Sequence, residues 1–492
     1  MFCRYCAAAL TRRKSTQTRS IRVIDPLGLV AATPDVRHMK KPVIVVTLWF
    51  VGLAFTFAGL ELHAPYFFFV SRSDAGMMFV ASLVVLAFLI RQKSWRGTGG
   101  KLLVLLWCLP PVSMLYAQTA FWWSKRNVPR IEANAANLLG QHFIIGYSSF
   151  AEVATLAEKG LIAGIYITKH NVAGRTTEAI KSEISELQAR RRAAGLPPLI
   201  VAADQEGGIV SHLSPPLTAE PSLATTADLP SDIRRESAEK IGRAQGEELA
   251  WLGVNLDFSP VVDLKPAAGH KFDFNTLINQ RAISDDPDKV AEVALAYVRG
   301  LDAFGVRATM KHFPGLGRVG TDTHHFAAKL DAPLAELEET DWRPFREVLR
   351  GSNALVMVGH VTLTAADPDR PASHSKRVID GIIRQKWNYQ GVVITDDLVM
   401  GAVYNHLCTA VVEALNAGVD LLLVAYDGSQ FYRAFDCASD ALNRHEVDLA
   451  ALDASEARLK RTFGAGIPDN ADRAAAALSG TAGHHAADMN KR

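Results

Sequence analysis

The chain has 492 residues, of which 49% are hydrophobic and 21% charged, and a formal net charge of +2. This balance describes a globular protein with an unusually apolar portion and lacks the basic surplus that nucleic-acid binding requires, so nucleic acid is excluded as a partner. Cys3, Cys6, Cys108, Cys408 and Cys437 are too scattered to imply a disulfide framework, and Cys3 and Cys6 have no second ligand pair nearby, so no metal is expected.

Residues 1–38 show no helical or strand periodicity, and Met39 opens "MKKPVIVV", a basic start before an apolar run. Residues 1–41 therefore read as a cytoplasmic segment, with 1–38 expected to be a start-site artefact. Three apolar runs follow within 42–123: "PVIVVTLWFVGLAFTFAGL", "AGMMFVASLVVLAFLI" and "LLVLLWCLPPVSMLYAQTAFWW". Each approaches the length needed to cross a bilayer, the middle one by borrowing from "PYFFFV" upstream, so three transmembrane helices are expected. Arg72 is the only base in the first connection, whereas the second carries Arg91, Lys93, Arg96 and Lys101. The positive-inside rule then places the start and the second connection in the cytoplasm. An odd number of crossings sends everything after Trp123 to the far side of a multi-pass protein of the cytoplasmic membrane.

From residue 130 to 465 short β-branched runs alternate with amphipathic segments. The strand candidates are "HFIIGYSS", "LIAGIYIT", "PLIVAADQ", "VNLDFSPVVDL", "VRATMKHF", "ALVMVGHV", "GVVITDDL" and "VDLLLVAY". Helical patterns such as "TEAIKSEISELQARRRAAG" and "KVAEVALAYVRGLDAFG" separate them. Eight apolar strands with helical crossovers predict an α/β fold, a single (β/α)8 TIM-like barrel, and no glycine-rich phosphate fingerprint follows the first strand. Residues 466–492 hold few large apolar residues and read as a disordered tail.

In such a barrel the chemistry sits where strands end. Strand three runs into Asp204 and Glu206, strand four is followed by Arg281, strand five ends at Lys311 and His312, strand six at His360, and strand seven at Asp396 and Asp397. A lone Asp at a strand end is often a helix cap, and a lone His a satisfied core group; five successive strands bringing ionisable groups to one face point to a polar active site. Without a nucleophilic Ser or Cys and without metal-ligand spacing, that ring suits a hydroxyl-rich ligand such as a sugar. Glycoside cleavage needs a carboxylate at the oxocarbenium-like carbon, which Asp396 supplies, and a proton donor. The loop "KHFPGLGRVGTDTHH" offers the donor: Asp322, two residues before His324, would accept from one imidazole nitrogen and leave the other to move protons near neutral pH.

These residues resemble the KHFPG-G-D-[ST]-H signature of the bacterial family 3 glycoside hydrolases of the β-N-acetylglucosaminidase type. "AADQEGG", "RAISDDP", "MVGHV" and "GVVITDDLVMGAV" extend the resemblance over roughly residues 130 to 465. It implies that Asp396 is the nucleophile of a retaining, exo-acting β-N-acetylhexosaminidase, with Asp397 secondary and His324 the acid/base assisted by Asp322. It further implies that Asp204, Arg281, Lys311 and His312 hold the terminal N-acetylglucosamine of a cell-wall glycan, with no cofactor; His360 joins them in the substrate-binding ring. The chain departs from the family at Ile209 and His212, where arginines are usual, and at Leu316. Alternatives are a β-glucosidase or phosphorylase of the same family, a non-catalytic membrane-anchored glycan-binding protein, and an aldolase-like barrel with Lys311 as Schiff-base lysine.

Overall fold

The computed structural model describes residues 36–61, 72–93, 96–266, 276–404 and 406–464. Most of the segment before Met39, the "PYFFFV" run and the tail from residue 466 lie outside the described residues.

Eight strands close into a barrel: β1 (Phe143–Gly146), β2 (Gly164–Ile167), β3 (Ile200–Ala203), β4 (Leu256–Asp257), β5 (Arg307–Phe313), β6 (Leu355–Val358), β7 (Val393–Asp397) and β8 (Leu421–Val424). Every neighbouring pair is parallel, and β8 returns to pair with β1, so no edge is left open. The two-residue period of a strand divides the core in two. Ile144, Tyr166, Ile200, Leu256, Met357, Ile394 and Leu421 fill the barrel interior. Phe143, Ile145, Ile165, Val201, Val356 and Leu422 face outward to the helices. Because both faces are buried, these strands are continuously apolar rather than alternating, which is why they are legible as runs.

The crossovers carry the helices expected from the sequence. α5 (Phe150–Glu158), α6 (Thr177–Ala193), α7 (Ser231–Leu252) and α8 (Pro287–Asp302) follow β1 to β4, and α9 (Arg343–Gly351) follows β5. A π-helix (Arg377–Lys386) follows β6, α10 (Leu407–Ala417) follows β7, and α11 (Phe431–Asn443) and α12 (Leu449–Phe463) follow β8. α6 shows the local logic. Thr176 caps its start by accepting from Ala179 N at 3.2 Å, and Ile180, Ile184 and Leu187 place one apolar stripe against the sheet.

Ahead of the barrel lie α1 (Val36–Leu60), α2 (Arg72–Arg91), α3 (Thr98–Asn127) and α4 (Ala133–Gly140). α1 and α3 approach closely: a Cβ on Gly59 would stand 2.3 Å from Ser113 Oγ, and Trp107 Nε1 donates to Leu48 O at 3.1 Å. Two helices among the described residues, Val43–Leu60 and Thr98–Arg130, are long and apolar enough to cross a membrane by length and composition. The expected third is not shown: the apolar part of α2 is the shorter helix Ala75–Arg91, and the run upstream of Arg72 lies outside the described residues. All three nevertheless expose large apolar side chains, Phe50 at 70%, Met77 at 64% and Leu105 at 61% among them.

The pairing of Cys408 with Cys437 also departs from expectation. The two join α10 to α11 in a disulfide with Cα atoms 5.1 Å apart. Nothing in their 29-residue separation signals it, because the contact is made by neighbouring crossovers of the closed barrel.

Candidate active site

The site is built at the C-terminal mouth. The register between β5 and β6 shifts between Met310 and Phe313, and an irregularity of this kind re-aims side chains. The adjacent Lys311 and His312 are thereby both engaged by polar groups of the mouth. Lys311 Nζ pairs with Asp204 Oδ1 just beyond β3 and lies 2.7 Å from Glu206 Oε1. Arg281 grips Glu206 with Nε at 3.0 Å and Nη2 at 2.6 Å, and gives Nη1 to Thr276 O at 2.8 Å. Tyr166 in the barrel interior donates to Asp204 Oδ2 at 2.5 Å and stands 3.0 Å from His212 Nδ1. Two acids and two bases therefore form one buried network in which each charge has a partner, the condition under which such burial is tolerated.

The electrostatics follow from that pairing. Burial alone would raise the Asp204 carboxyl, yet the Lys311 ammonium, with His212 and the Tyr166 hydroxyl, more than reverses it and holds the group well below the usual carboxylate range. Burial opposes the charge on Lys311 as well, and Asp204 and Glu206 outweigh it, so the ammonium is kept. An ammonium paired with both Asp204 and Glu206 is not poised as the free amine a Schiff base needs, which disfavours the aldolase-like alternative.

His312 is fixed by Asp263, whose Oδ2 accepts from His312 Nδ1 at 2.7 Å and from its backbone N at 3.0 Å. Asp263 Oδ1 also accepts from Leu316 N at 2.7 Å, tying the start of the long β5 loop to the segment after β4. Further along that loop Asp322, 2% exposed, accepts from His324 Nδ1 at 2.9 Å, from His324 N at 2.9 Å and from Thr276 Oγ1 at 3.1 Å. The proton on Nδ1 leaves Nε2 as the free imidazole position. The His324 side chain is 39% exposed, open to the mouth. Gly401 N, after β7, donates to His324 O at 2.8 Å, which brings the β5 loop against the end of strand seven.

That strand end carries two acids with different surroundings. Asp397 accepts from Val399 N at 3.1 Å, Ala425 N at 3.0 Å and Tyr426 N at 2.7 Å, so both its oxygens are committed to the backbone. Burial, with the Asp396 charge beside it, pushes the Asp397 carboxyl up to about 6 against those three donors. Asp396 accepts one backbone bond, from Asp397 N at 2.8 Å. Burial would raise it, but the imidazoles of His312, His360 and His324 overcome burial and hold it below the ordinary carboxylate range. Asp396 is thus the ionised acid of the pair and the one with unspent lone pairs.

Of the residues expected from the sequence, Asp204, Arg281, Lys311, His312, Asp322, His324 and Asp396 come together around the mouth. His360 differs from expectation in detail: Nδ1 is bonded to Ser373 Oγ at 2.7 Å and Nε2 to Asp397 O at 2.9 Å. Both ring nitrogens are spent on protein, and burial lowers its pKa, so it shapes the end of β7 beside Asp396 rather than gripping a ligand. Sequence reasoning missed the orienting role of Asp263, although "PVVDL" stands at a strand end, and missed Tyr166, which reads only as a core aromatic. No group of three or more His, Cys, Asp or Glu able to hold a metal occurs among the described residues.

Comparison with known proteins bears on the family and on the barrel. Residues 136–462 match the glycosyl hydrolase family 3 N-terminal domain. The chain is 32% identical over 288 residues to a protein named β-hexosaminidase from Nitrosomonas eutropha, covering 58% of this chain and 78% of that one. It is 37% identical over 272 residues to a β-hexosaminidase from Xanthomonas euvesicatoria, covering 54% and 77% respectively. Among solved structures it resembles a family 3 β-N-acetylglucosaminidase from Paenibacillus sp., with a TM-score of 0.62 and 30% identity, over 68% of this chain and 63% of that chain. M. tuberculosis LpqI gives a TM-score of 0.60 at 28% identity, over 70% of this chain and 97% of that one. By its sequence match, its barrel and its ring of mouth residues, the chain belongs to glycosyl hydrolase family 3 and is a glycoside hydrolase.

Proposed function

We propose that the protein is a retaining exo-β-N-acetylhexosaminidase that removes terminal N-acetylglucosamine from cell-wall glycans, with Asp396 as nucleophile and His324 as acid/base. The observation that carries this reading is the Asp322–His324 contact at 2.9 Å beside an Asp396 whose charge is favoured by three imidazoles. In the first half-reaction an Asp396 oxygen bonds to C1 as the C1–O bond breaks, and imidazolium at His324 gives its proton to the leaving oxygen. In the second, neutral His324 takes a proton from water, whose oxygen replaces Asp396 at C1. Asp322 fixes the ring by accepting from Nδ1, so that Nε2 is the position that exchanges the proton. The names of the relatives supply the N-acetylglucosamine preference, and the Asp204–Lys311–Glu206–Arg281 network supplies charged hydrogen-bonding groups suited to hydroxyls.

The barrel is proposed to lie outside the cytoplasmic membrane, anchored by α1, α2 and α3. Two observations support this: the disulfide between Cys408 and Cys437, characteristic of oxidising compartments, and the exposed apolar side chains of all three helices.

Replacing Asp396 by Asn tests the reading on an aryl β-N-acetylglucosaminide. Turnover should fall by about three orders of magnitude or more, as loss of a nucleophile does. Asp397→Asn should retain turnover while costing stability on the order of 2 kcal/mol through its disturbed backbone clamp. The reverse ranking would assign the wrong acid.

A further inference from the structure

The way α3 joins the barrel fixes which face of the enzyme looks toward the bilayer. Phe121 packs edge-on against Tyr432 with ring centroids 6.4 Å apart. Ser124 donates to Asp436 Oδ2 at 2.8 Å, and Lys125 pairs with Glu152 at 2.7 Å while standing 5.4 Å over the Tyr432 ring. Tyr432 Oη in turn donates to Glu152 Oε1 at 2.7 Å. Tyr432 and Glu152 lie in the first turns of α11 and α5, which begin where β8 and β1 end, at the mouth. Asp436 lies one turn further along α11. Lys159, the C-cap of α5, donates to Pro129 O at 2.7 Å, and Val128 is fully buried in the core. Along both α5 and α11, later residues of the α3 segment meet later residues of the barrel helix. α3 therefore runs parallel to them, from the mouth toward the opposite face.

It follows that residues 98–120, about 34 Å of helix at 1.5 Å per residue, extend beyond the mouth rather than behind the barrel. The junction is marked by Tyr116, Trp122 and Trp123, exposed at 70%, 62% and 69%, the residue types that settle at a membrane boundary. The loops around the mouth add Ile209, Phe326 and Tyr426, exposed at 54%, 63% and 58%.

We infer that the active-site mouth faces the membrane surface and that the natural substrate is a glycan whose reducing end is carried by a membrane lipid. This rests on the exo-hexosaminidase reading above. An exo-acting enzyme seats the terminal sugar against Asp396 and lets the leaving group exit through the mouth, and here that exit leads to the bilayer. Hydrolysis breaks the C1–O bond, water completes C1, and the lipid-borne alcohol remains in the membrane.

The test uses the full chain reconstituted in phosphatidylcholine–phosphatidylglycerol vesicles. One probe is a water-soluble aryl β-N-acetylglucosaminide; the other is a dialkylglyceryl β-N-acetylglucosaminide, placed either in the same vesicles or in separate enzyme-free ones. The expected result is aryl cleavage in every arm and lipid-borne cleavage at least ten times faster in the shared vesicles. Equal rates in the two arms, or no lipid-borne cleavage while the aryl probe is cut, would overturn the inference. Absence of aryl cleavage would instead overturn the hexosaminidase reading. Orientation is measured apart from activity by energy transfer to a lipid dye from a label at Phe326→Cys or at Leu449→Cys, with Cys3, Cys6 and Cys108 replaced by Ser. Stronger transfer from position 326 is expected, and stronger transfer from position 449 would overturn the orientation.

Discussion

At the residue scale, the difference between Asp396 and Asp397 shows how environment divides labour between adjacent acids. Asp397 gives both oxygens to three backbone N–H groups, whereas Asp396 has one such bond and three imidazoles acting on its charge. The same principle applies to His324, held by a buried carboxylate on one nitrogen. If His324 donates the proton, His324→Ala should leave kcat/KM for a nitrophenyl substrate, which reports the first half-reaction, nearly intact and lower that for an alkyl glycoside by about 10²- to 10⁴-fold. Comparable losses on both would remove the acid role. His374 provides a pH test of stability rather than of activity. Burial, with His360 and Arg370 nearby, lowers its pKa from 6.5 to about 3. The unfolded chain therefore binds this proton first, so its contribution is complete above pH 6.5 and is lost as pH falls toward 3. His374→Asn should flatten the fall of the unfolding free energy over that window by up to about 1.4 kcal/mol per pH unit, read by denaturant titration at each pH. An unchanged slope would mean that His374 titrates normally in the folded protein.

At the scale of elements, the strands were legible because burial on both faces favours continuous apolar runs, as in Leu355–Val358 or Leu421–Val424. The ends of those runs carry the site, so Asp396, Lys311, His312 and Asp204 were legible with them. What sequence could not show is which groups meet across the mouth. Asp263 with His312, and Glu206 with Arg281, are separated by 49 and 75 positions and are joined only by closure of the barrel. The bond between Cys408 and Cys437 was illegible for the same reason. It staples α10 to α11 beside the strands bearing Asp396 and the mouth end of β8. Replacing both cysteines by Ser should lower stability by about 3 to 4 kcal/mol on loop-closure grounds. Chemical denaturation with and without reductant reads this. An unaltered midpoint would place the stabilisation elsewhere.

At the scale of the whole molecule, a closed barrel gathers groups from β2 to β8 around one mouth, and α3 continues the barrel's packing into an apolar helical unit. The long apolar helices α1 and α3 were legible by length and lack of charge; the apolar part of α2 is shorter, and length alone does not separate a short span from a packed apolar helix. How α3 docks was not legible, since Phe121, Ser124 and Lys125 carry no signal of their partners on α11 and α5. The protein as a whole is read as a retaining glycosidase working through a covalent intermediate. The most direct measurement is mass spectrometry of proteolysed full-length enzyme after inactivation with a fluorinated N-acetylglucosaminyl fluoride, whose sugar–enzyme bond hydrolyses slowly. The account predicts a single sugar adduct on Asp396; an adduct on Asp397 or any other residue would contradict it.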